Sequence, residues 1–498
     1  MEALLIVASN RGPAEFHEDG GGLYVSRAAG GLASSILHAL EGKRCLWVAA
    51  AMTETEQRIF SEKKESYSLR EIYGEPYSEV EVSYISFDQG MYRGYYDGIS
   101  SGILWFALHG IFDSSRRPVF DSRVYALWED CYEEVNRRFG ERIGKALGGF
   151  SGDAPKVVLV QDYHLFSVPK FLRRTSLEDR AAFFLHTPFP TPQQLSMLPA
   201  SWARSILEGM MSLDLVGFHC SRWLENFLAC CKELLGAETA NPSRYEESVG
   251  IASVVGCGDR TVAAGVFPIG PDKKALLQEA ESEEVERALS AMDIPEDAFV
   301  VVSVERVDPA KNALRSLRAI DEVLDRCEEL RGCLRFLLLM YPSRERLVEY
   351  RAYEIECETL AEAINRRWST ESWKPVSLDI SDDYTRSLAA LRRYDVLLVN
   401  SIADGMNLVA REGPLVNRRS GQVVLSRNTG AFEIYGDACL PVNPFDVVEQ
   451  AAAIEEVFKM SPEERKQRAN RLASLAARDD PRGWLDAQVR AALAVSPL

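Results

Sequence analysis

Hydrophobic and polar positions along this chain alternate in blocks. Short apolar runs, LLIVAS, VVLVQ and AAFFL in the first half and VVVSVE, RFLLLMY, VLLVN and QVVLS in the second, are closed by turn or polar residues and separated by stretches of helical spacing. Runs that are apolar at every position, rather than at every second one, suit strands covered by helices on both faces. Their recurrence between helices predicts an α/β protein built on doubly wound, Rossmann-like parallel sheets.

The pattern starts afresh after VFPIGPD, where Pro268, Gly270 and Pro271 interrupt the chain. The acidic stretch from about Glu281 to Ala291 then reads as a helix leading into FVVVSVERVD. Because single hydrophobic cores stop growing near roughly 250–300 residues, a chain of 498 residues is expected to form two domains. These are placed at 1–267 and 268–498. After Asn443 and Pro444 the spacing is helical to the end, with Ser461 as a helix cap, Pro462 at the first helical position and Glu464 three residues beyond the cap. These last helices are expected to brace both domains. Two such domains on a short link imply a facing cleft, with ligands beyond the carboxyl ends of the strands.

Composition narrows the class of partner. A formal charge of −17 disfavours nucleic acid and anionic membranes, both of which require a cationic surface. Small-molecule substrates are expected instead, with any phosphate gripped locally. The ten cysteines show no Cys-x-x-Cys pair and read as reduced core residues. MEALLIVASNRGP lacks a basic flank and turns polar after six apolar positions, so it reads as neither a signal peptide nor a membrane span, and a cytoplasmic location is expected. There is no Gly-x-Ser-x-Gly elbow, HExxH helix or Cys/His metal spacing, so neither a hydrolase nor a protein-bound metal is expected. These residues leave self-association into a homo-oligomer open.

Five stretches carry candidate chemistry. In SVERVDPAKN, Arg306 ends a strand and Lys311 lies beside a helix start, a guanidinium fork and an ammonium suited to phosphate; the bland reading is two solvated cations. In NSIADGMNLVARE, Asp404 and Glu412 bracket a helix start. Carboxylates there can accept from sugar hydroxyls while helix amides meet a diphosphate, and the plain alternative is a cap and a solvated residue. FFLHTPFP ends a strand in His186, and VLVQDYHLF ends one in Asp162; each is a hydrogen-bonding candidate or merely structural. SNRGP with Arg11, the glycines Gly20 to Gly22, and Gly30 with Gly31 at a helix start would let backbone amides approach a phosphate.

In this order, SNRGP, AGGL, YYDGISSGILW, QDYHL, FFLHTPFP, GFH, VERVDPAKN, YPSRE, DGMNLVARE and VNPFD resemble the trehalose-6-phosphate synthase family across nearly the whole chain. The resemblance implies a retaining glycosyltransferase of GT-B architecture that moves glucose from a nucleoside diphosphate to glucose 6-phosphate. No cofactor is implied beyond that nucleotide sugar as co-substrate. Carried over by position, it implies Arg306 and Lys311 on the donor diphosphate, Glu412 on the ribose and Asp404 on the donor glucose. The neighbours Gly405, Met406, Asn407 and Leu408 line the donor site, and the Gly31 amide meets a phosphate. By the same resemblance His186 and Asp162 are expected to join Arg306 and Lys311 as catalytic residues, and Arg11, Tyr96, Trp105 and Arg344 are expected to hold the acceptor.

Three departures qualify the acceptor and the nucleotide. CLWVAAAM places Ala50 where the family usually has a second tryptophan, VDPAKN has Pro309 and Asn312 where Tyr and Gly are commoner, and EGPLVNRRSG departs from the usual wording. These features are similar to the validoxylamine-phosphate synthases, pseudo-glycosyltransferases that join cyclitols. The alternative they imply is the same scaffold with a cyclitol or other sugar phosphate as acceptor. A catalytically silent binding subunit is disfavoured, because Arg306, Lys311, Asp404, Glu412 and His186 are all present.

Overall fold

The computed structural model describes residues 3–19, 22–27, 31–62, 66–150, 154–174, 176 and 178–495. The chain divides into two compact units, Met1–Ile269 with Pro481–Leu498, and Gly270–Asp480. The last stretch therefore groups with the first unit, whereas the expected second domain ran unbroken from 268 to 498.

In the first unit seven parallel strands lie in the order Arg260–Val266, Leu215–Phe218, Arg180–Phe184, Lys156–Gln161, Leu4–Ser9, Cys45–Ala50 and Val80–Ile85. Antiparallel strands extend both edges, Ile251–Cys257 and Glu238–Ala240 on one side and Tyr67–Ser68 on the other. The sheet is thus mixed rather than wholly parallel. Ile251–Cys257 shows why: its burial alternates at first, so one face is less covered and a hairpin suffices to connect it. Val80–Ile85 escaped the apolar-run criterion because Glu81 and Ser83 interrupt it, and Leu215–Phe218 because Gly217 does.

Residues after SNRGP form an antiparallel ribbon, Ala14–Asp19 with Gly22–Arg27. Gly20, Gly21 and Gly30 lie outside the described residues, and Gly31 opens the helix Gly31–Ala39. The YYDGISSGIL stretch forms a π-helical segment, Gly94–Leu104, that packs against a second, Leu127–Glu133. A Cβ on Gly94 would lie 2.5 Å from Cys131 Sγ, and one on Gly98 would lie 3.1 Å from Leu127, so these glycines permit the close approach. Long π-helical turns are rare and concentrate at functional places.

The second unit is a six-stranded parallel sheet in the order Val376–Ile380, Leu334–Tyr341, Phe299–Arg306, Val396–Val399, Gln422–Ser426 and Leu440–Val442. Numbered along this unit alone the order is 3-2-1-4-5-6, so the chain reverses direction across the sheet between Phe299–Arg306 and Val396–Val399. In doubly wound sheets ligands bind beyond the carboxyl ends at that switch point. The core beneath it is apolar throughout, with Phe336 and Leu338 from the strands meeting Leu317, Ile320, Ile454 and Val457 from the helices. The acidic stretch forms the helix Glu283–Ala291, which Ser282 caps by accepting from the Val285 amide, and a separate helix, Lys273–Ala280, precedes it.

Ser461 caps the helix Pro462–Ala476 as its sequence implies, and this helix stays with the second unit. The final helix, Pro481–Ala494, instead packs on Gly31–Ala39 in the first unit and joins it through a Lys43–Asp486 ion pair. Its Trp484 is 2% exposed, with its ring 5.1 Å from Phe184 and nearly perpendicular to it. Trp484→Ala is expected to cost the first unit about 3–5 kcal/mol, the usual range for truncating a buried aromatic, measured as a lower midpoint in urea unfolding followed by circular dichroism.

Candidate active site

Both motif loops of the second unit arise at its switch point. The strand Phe299–Arg306 runs into Val307 and Asp308, and Val396–Val399 runs into the 400–407 loop that precedes the helix Leu408–Val416. The loops are fastened to each other through main-chain and amide groups. Ile402 N donates to Ala310 O at 2.8 Å, and Asn312 Nδ2 donates to Asn400 O at 2.9 Å and to Pro444 O at 2.7 Å. Asn312 has φ 70°, a left-handed conformation that glycine adopts freely and Asn tolerates. The departure from the commoner glycine therefore preserves the backbone and adds two hydrogen bonds.

Asp308 organises the cationic side of this site. It has no exposed surface, its Oδ1 accepts from Ala310 N at 3.0 Å, and its Oδ2 accepts from Arg344 Nη1 at 2.9 Å. Arg306 Nη2 lies 3.8 Å from the same Oδ2. Arg344 also donates to the Tyr350 hydroxyl at 3.0 Å and holds φ 51°, which costs energy for a non-glycine residue and so marks a conformation imposed by its surroundings.

Lys311 Nζ is bonded to Asp404 Oδ2, which also accepts from Asn407 Nδ2 at 3.0 Å and Ser401 Oγ at 3.2 Å. The Asp404 loop cannot shift easily. Asp404 N bonds Asn428 O at 3.1 Å, Gly430 N bonds Asp404 O at 3.1 Å, and a Cβ on Gly430 would stand 2.1 Å from Gly405 O. Met406 is 3% exposed, and Asn407, at φ 75°, caps the helix starting at Leu408 by accepting from Ala410 N at 2.9 Å. Glu412, on the first turns of that helix, has its carboxyl pushed up to about 7 by burial and by the nearby Glu279.

The first unit gathers His186, Asp162 and Tyr96. Asp162, at φ 73° and 7% exposed, follows the strand Lys156–Gln161 and accepts from His186 N at 3.2 Å. His186 Nε2 is 2.8 Å from Gln161 Oε1, an oxygen that only accepts, so this nitrogen carries the proton. His186 Nδ1 then accepts from His219 Nε2 at 3.2 Å. Burial, and secondarily the His219 ring, hold the His186 imidazole well below its usual pKa, leaving it neutral at pH 7. Trp484 closes the far side, with its ring 5.4 Å from that of His186.

Tyr96 lies in a stack between Tyr92 and His164, at 5.8 Å and 5.7 Å with planes within 5° and 6°. His164 Nδ1 in turn lies 3.9 Å from Asp162 Oδ2. Trp105 is 5% exposed and packs on His109 and Tyr163, and Arg11 is partly exposed and paired with Glu15 at 3.0 Å. Arg344 belongs to the second unit, apart in the chain from the other three expected acceptor residues. Ala50, at the end of its strand, is fully buried, and its N donates to Asn10 O at 3.0 Å.

Several residues of these constellations escaped sequence reasoning: Asp308, Gln161, His164, His219 and Trp484. Four of them lie inside motifs already singled out, VERVDPAKN, QDYHL and GFH, so attention to every polar residue there would have found them. Trp484 has no such signal, because only folding returns it to the first unit.

The family profile of glycosyltransferase family 20 matches residues 4–493. The chain belongs to glycosyltransferase family 20. It is 28% identical over 488 residues to "Alpha,alpha-trehalose-phosphate synthase [UDP-forming] A" of Dictyostelium discoideum, covering 96% of this chain and 61% of that protein. The chain thus spans about three fifths of that relative's length. It is 31% identical over 450 residues to validamine 7-phosphate valienyltransferase of Streptomyces hygroscopicus subsp. jinggangensis, covering 90% of this chain and 84% of that one. A crystal structure of an alpha,alpha-trehalose-phosphate synthase (UDP-forming) from Burkholderia xenovorans in complex with glucose-6-phosphate superposes with a TM-score of 0.81 at 26% identity, over 98% of this chain and 99% of that one. The family 20 chain described here therefore shares that α/β fold, and among its described residues no helix is long and apolar enough to cross a membrane.

Two outcomes test this geometry. Asp308→Ala takes the buried carboxylate from Arg344 and is expected to destabilise the second unit by about 3–5 kcal/mol in urea unfolding, with Asp308→Asn milder. The ring protons of His186, followed by NMR, should show no titration between about pH 6 and 8, where an ordinary histidine titrates.

Proposed function

We propose that this protein transfers glucose, with retention, from a nucleoside diphosphate glucose to glucose 6-phosphate, giving trehalose 6-phosphate. The observation that carries the reading is the Lys311–Asp404 pair at the switch point of a parallel sheet, on the loop that follows Arg306 and beside a helix start. A donor diphosphate would take Lys311 from Asp404, adding the charge of Arg306 and the amides of Gly405 to Leu408. Asp404, relieved of its partner, then accepts from a hydroxyl of the donor glucose. Glu412 accepts from the ribose hydroxyls.

In the transfer, the acceptor hydroxyl attacks the anomeric carbon on the face from which the diphosphate leaves. The bond from that carbon to the diphosphate oxygen breaks as the new glycosidic bond forms, and the hydroxyl proton passes to the departing oxygen. Arg306 and Lys311 stabilise the charge gathering on that leaving group. His186, kept neutral, would turn its Nε2–H from Gln161 to a sugar hydroxyl, and Asp162 fixes its main chain. Arg11, Tyr96, Trp105 and Arg344 hold the acceptor in this proposal. Gly31 offers an amide to phosphate, and no cofactor besides the nucleotide sugar takes part. The substrates are small molecules and the site of action is the cytoplasm.

A second reading keeps the scaffold and changes the acceptor to a cyclitol phosphate. It is favoured by Ala50, a buried methyl where an indole would otherwise project, and by the 31% identity to a valienyltransferase.

Purified protein with UDP-, GDP- or ADP-glucose and glucose 6-phosphate should release nucleoside diphosphate and form a disaccharide phosphate. Release only with a cyclitol phosphate would move the assignment to the second reading. Lys311→Ala should reduce turnover by about 2–4 kcal/mol in barrier, the range for removing a preformed charge-stabilising donor, read from steady-state kinetics. Because Glu412 is uncharged below about 7, nucleotide affinity should rise as pH increases through that value, and Glu412→Gln should abolish this limb in calorimetric titrations.

A further inference from the structure

Glu305 has no part in the reaction as described, yet it sits at the centre of the second unit's charged cluster. It is the penultimate residue of the strand Phe299–Arg306, 8% exposed, and its Oε1 is enclosed without a hydrogen-bond partner. The charged and titratable groups facing it are Lys311 and Asp308 from its own loop, Asp404 from the loop after Val396–Val399, and Tyr353 and Cys357 from the helix Val348–Trp368. Two carboxylates and one ammonium thus surround a third carboxyl in a dry place.

The burial of the Glu305 carboxyl indicates which form occupies that place. Its Oε1 is enclosed with no hydrogen-bond partner, and a carboxylate so placed is costly to hold out of water. Ser303, two residues back on the same strand and hence on the same face, favours the ionised form, but more weakly than burial opposes it. Burial chiefly, reinforced by the negative charges of Asp308 and Asp404 against the opposing pull of Lys311, pushes the group up to about 8.

We propose that Glu305 is a positioning residue for the donor diphosphate: uncharged, it leaves Lys311 free to exchange Asp404 for phosphate oxygens, and ionised, it retains Lys311 and repels the anion. The inference rests on the donor site of the preceding section. Glu305 touches no substrate, and it acts through Lys311. Its consequence is a pH ceiling on nucleotide binding, since the carboxyl gains its negative charge as pH rises through about 8.

The test uses the full-length protein, UDP as probe and Glu305→Gln, which keeps the shape of the protonated carboxyl. UDP affinity of the unaltered protein, measured by calorimetry, should fall about tenfold between roughly pH 7.5 and 9.5, while the Gln variant stays flat over that range and keeps the acid limb set by Glu412. In ¹³C NMR of glutamate-labelled protein, the carboxyl signal lost in Glu305→Gln should remain protonated at neutral pH. An alkaline fall unchanged in the variant, or a Glu305 signal already ionised near pH 6, overturns the role of Glu305 while leaving the donor site standing. Failure of UDP, GDP and ADP to bind at any pH overturns the donor site itself, and this role with it.

Discussion

The Asp308 carboxylate, fully buried at the carboxyl end of a parallel strand, is the constraint on which the second unit's site depends. An ion withdrawn from water must be compensated by charges and hydrogen bonds of good geometry. Arg344 and Ala310 N supply them, and doing so ties the loop after Tyr341 to the loop after Arg306. Arg344, the partner in that ion pair, has a left-handed backbone. Arg344 is therefore held in place, and in the proposed reading such prior placement of a cation would lower the ordering entropy that binding costs.

The same economy governs Lys311 and Asp404. Each satisfies the other, so neither is an uncompensated buried charge. Both are also the groups that a sugar diphosphate would want, one for its phosphates and one for a hydroxyl. The surrounding backbone is clamped, with Gly430 pressed on Gly405, so the exchange of partners proposed above would not need a rearrangement of loops.

The first unit solves a different problem, holding an imidazole uncharged. Gln161 and His219 engage its two nitrogens, and Phe184 and Trp484 exclude water around it. Its neighbour Asp162 spends one carboxylate oxygen on the His186 main chain, which makes Asp162 an organiser of the imidazole. The Tyr92–Tyr96–His164 stack extends this network into the π-helical segment, whose glycines let two helical turns come unusually close.

The sequence by itself determined the α/β class, since VVVSVE, RFLLLMY and VLLVN are apolar at consecutive positions rather than at alternate ones, as strands covered on both faces are. It also marked Arg306, Lys311, Asp404 and His186, because such residues at strand ends are set by local chain geometry. Only the tertiary structure decided what depends on distant segments meeting. The mixed edges of the first sheet, the return of Trp484 to His186, the pairing of Asp308 with Arg344 and the enclosure of Glu305 each join residues far apart in the chain. Burial, pairing and the protonation states that follow are properties of such meetings, and a linear pattern records the residues without recording their neighbours.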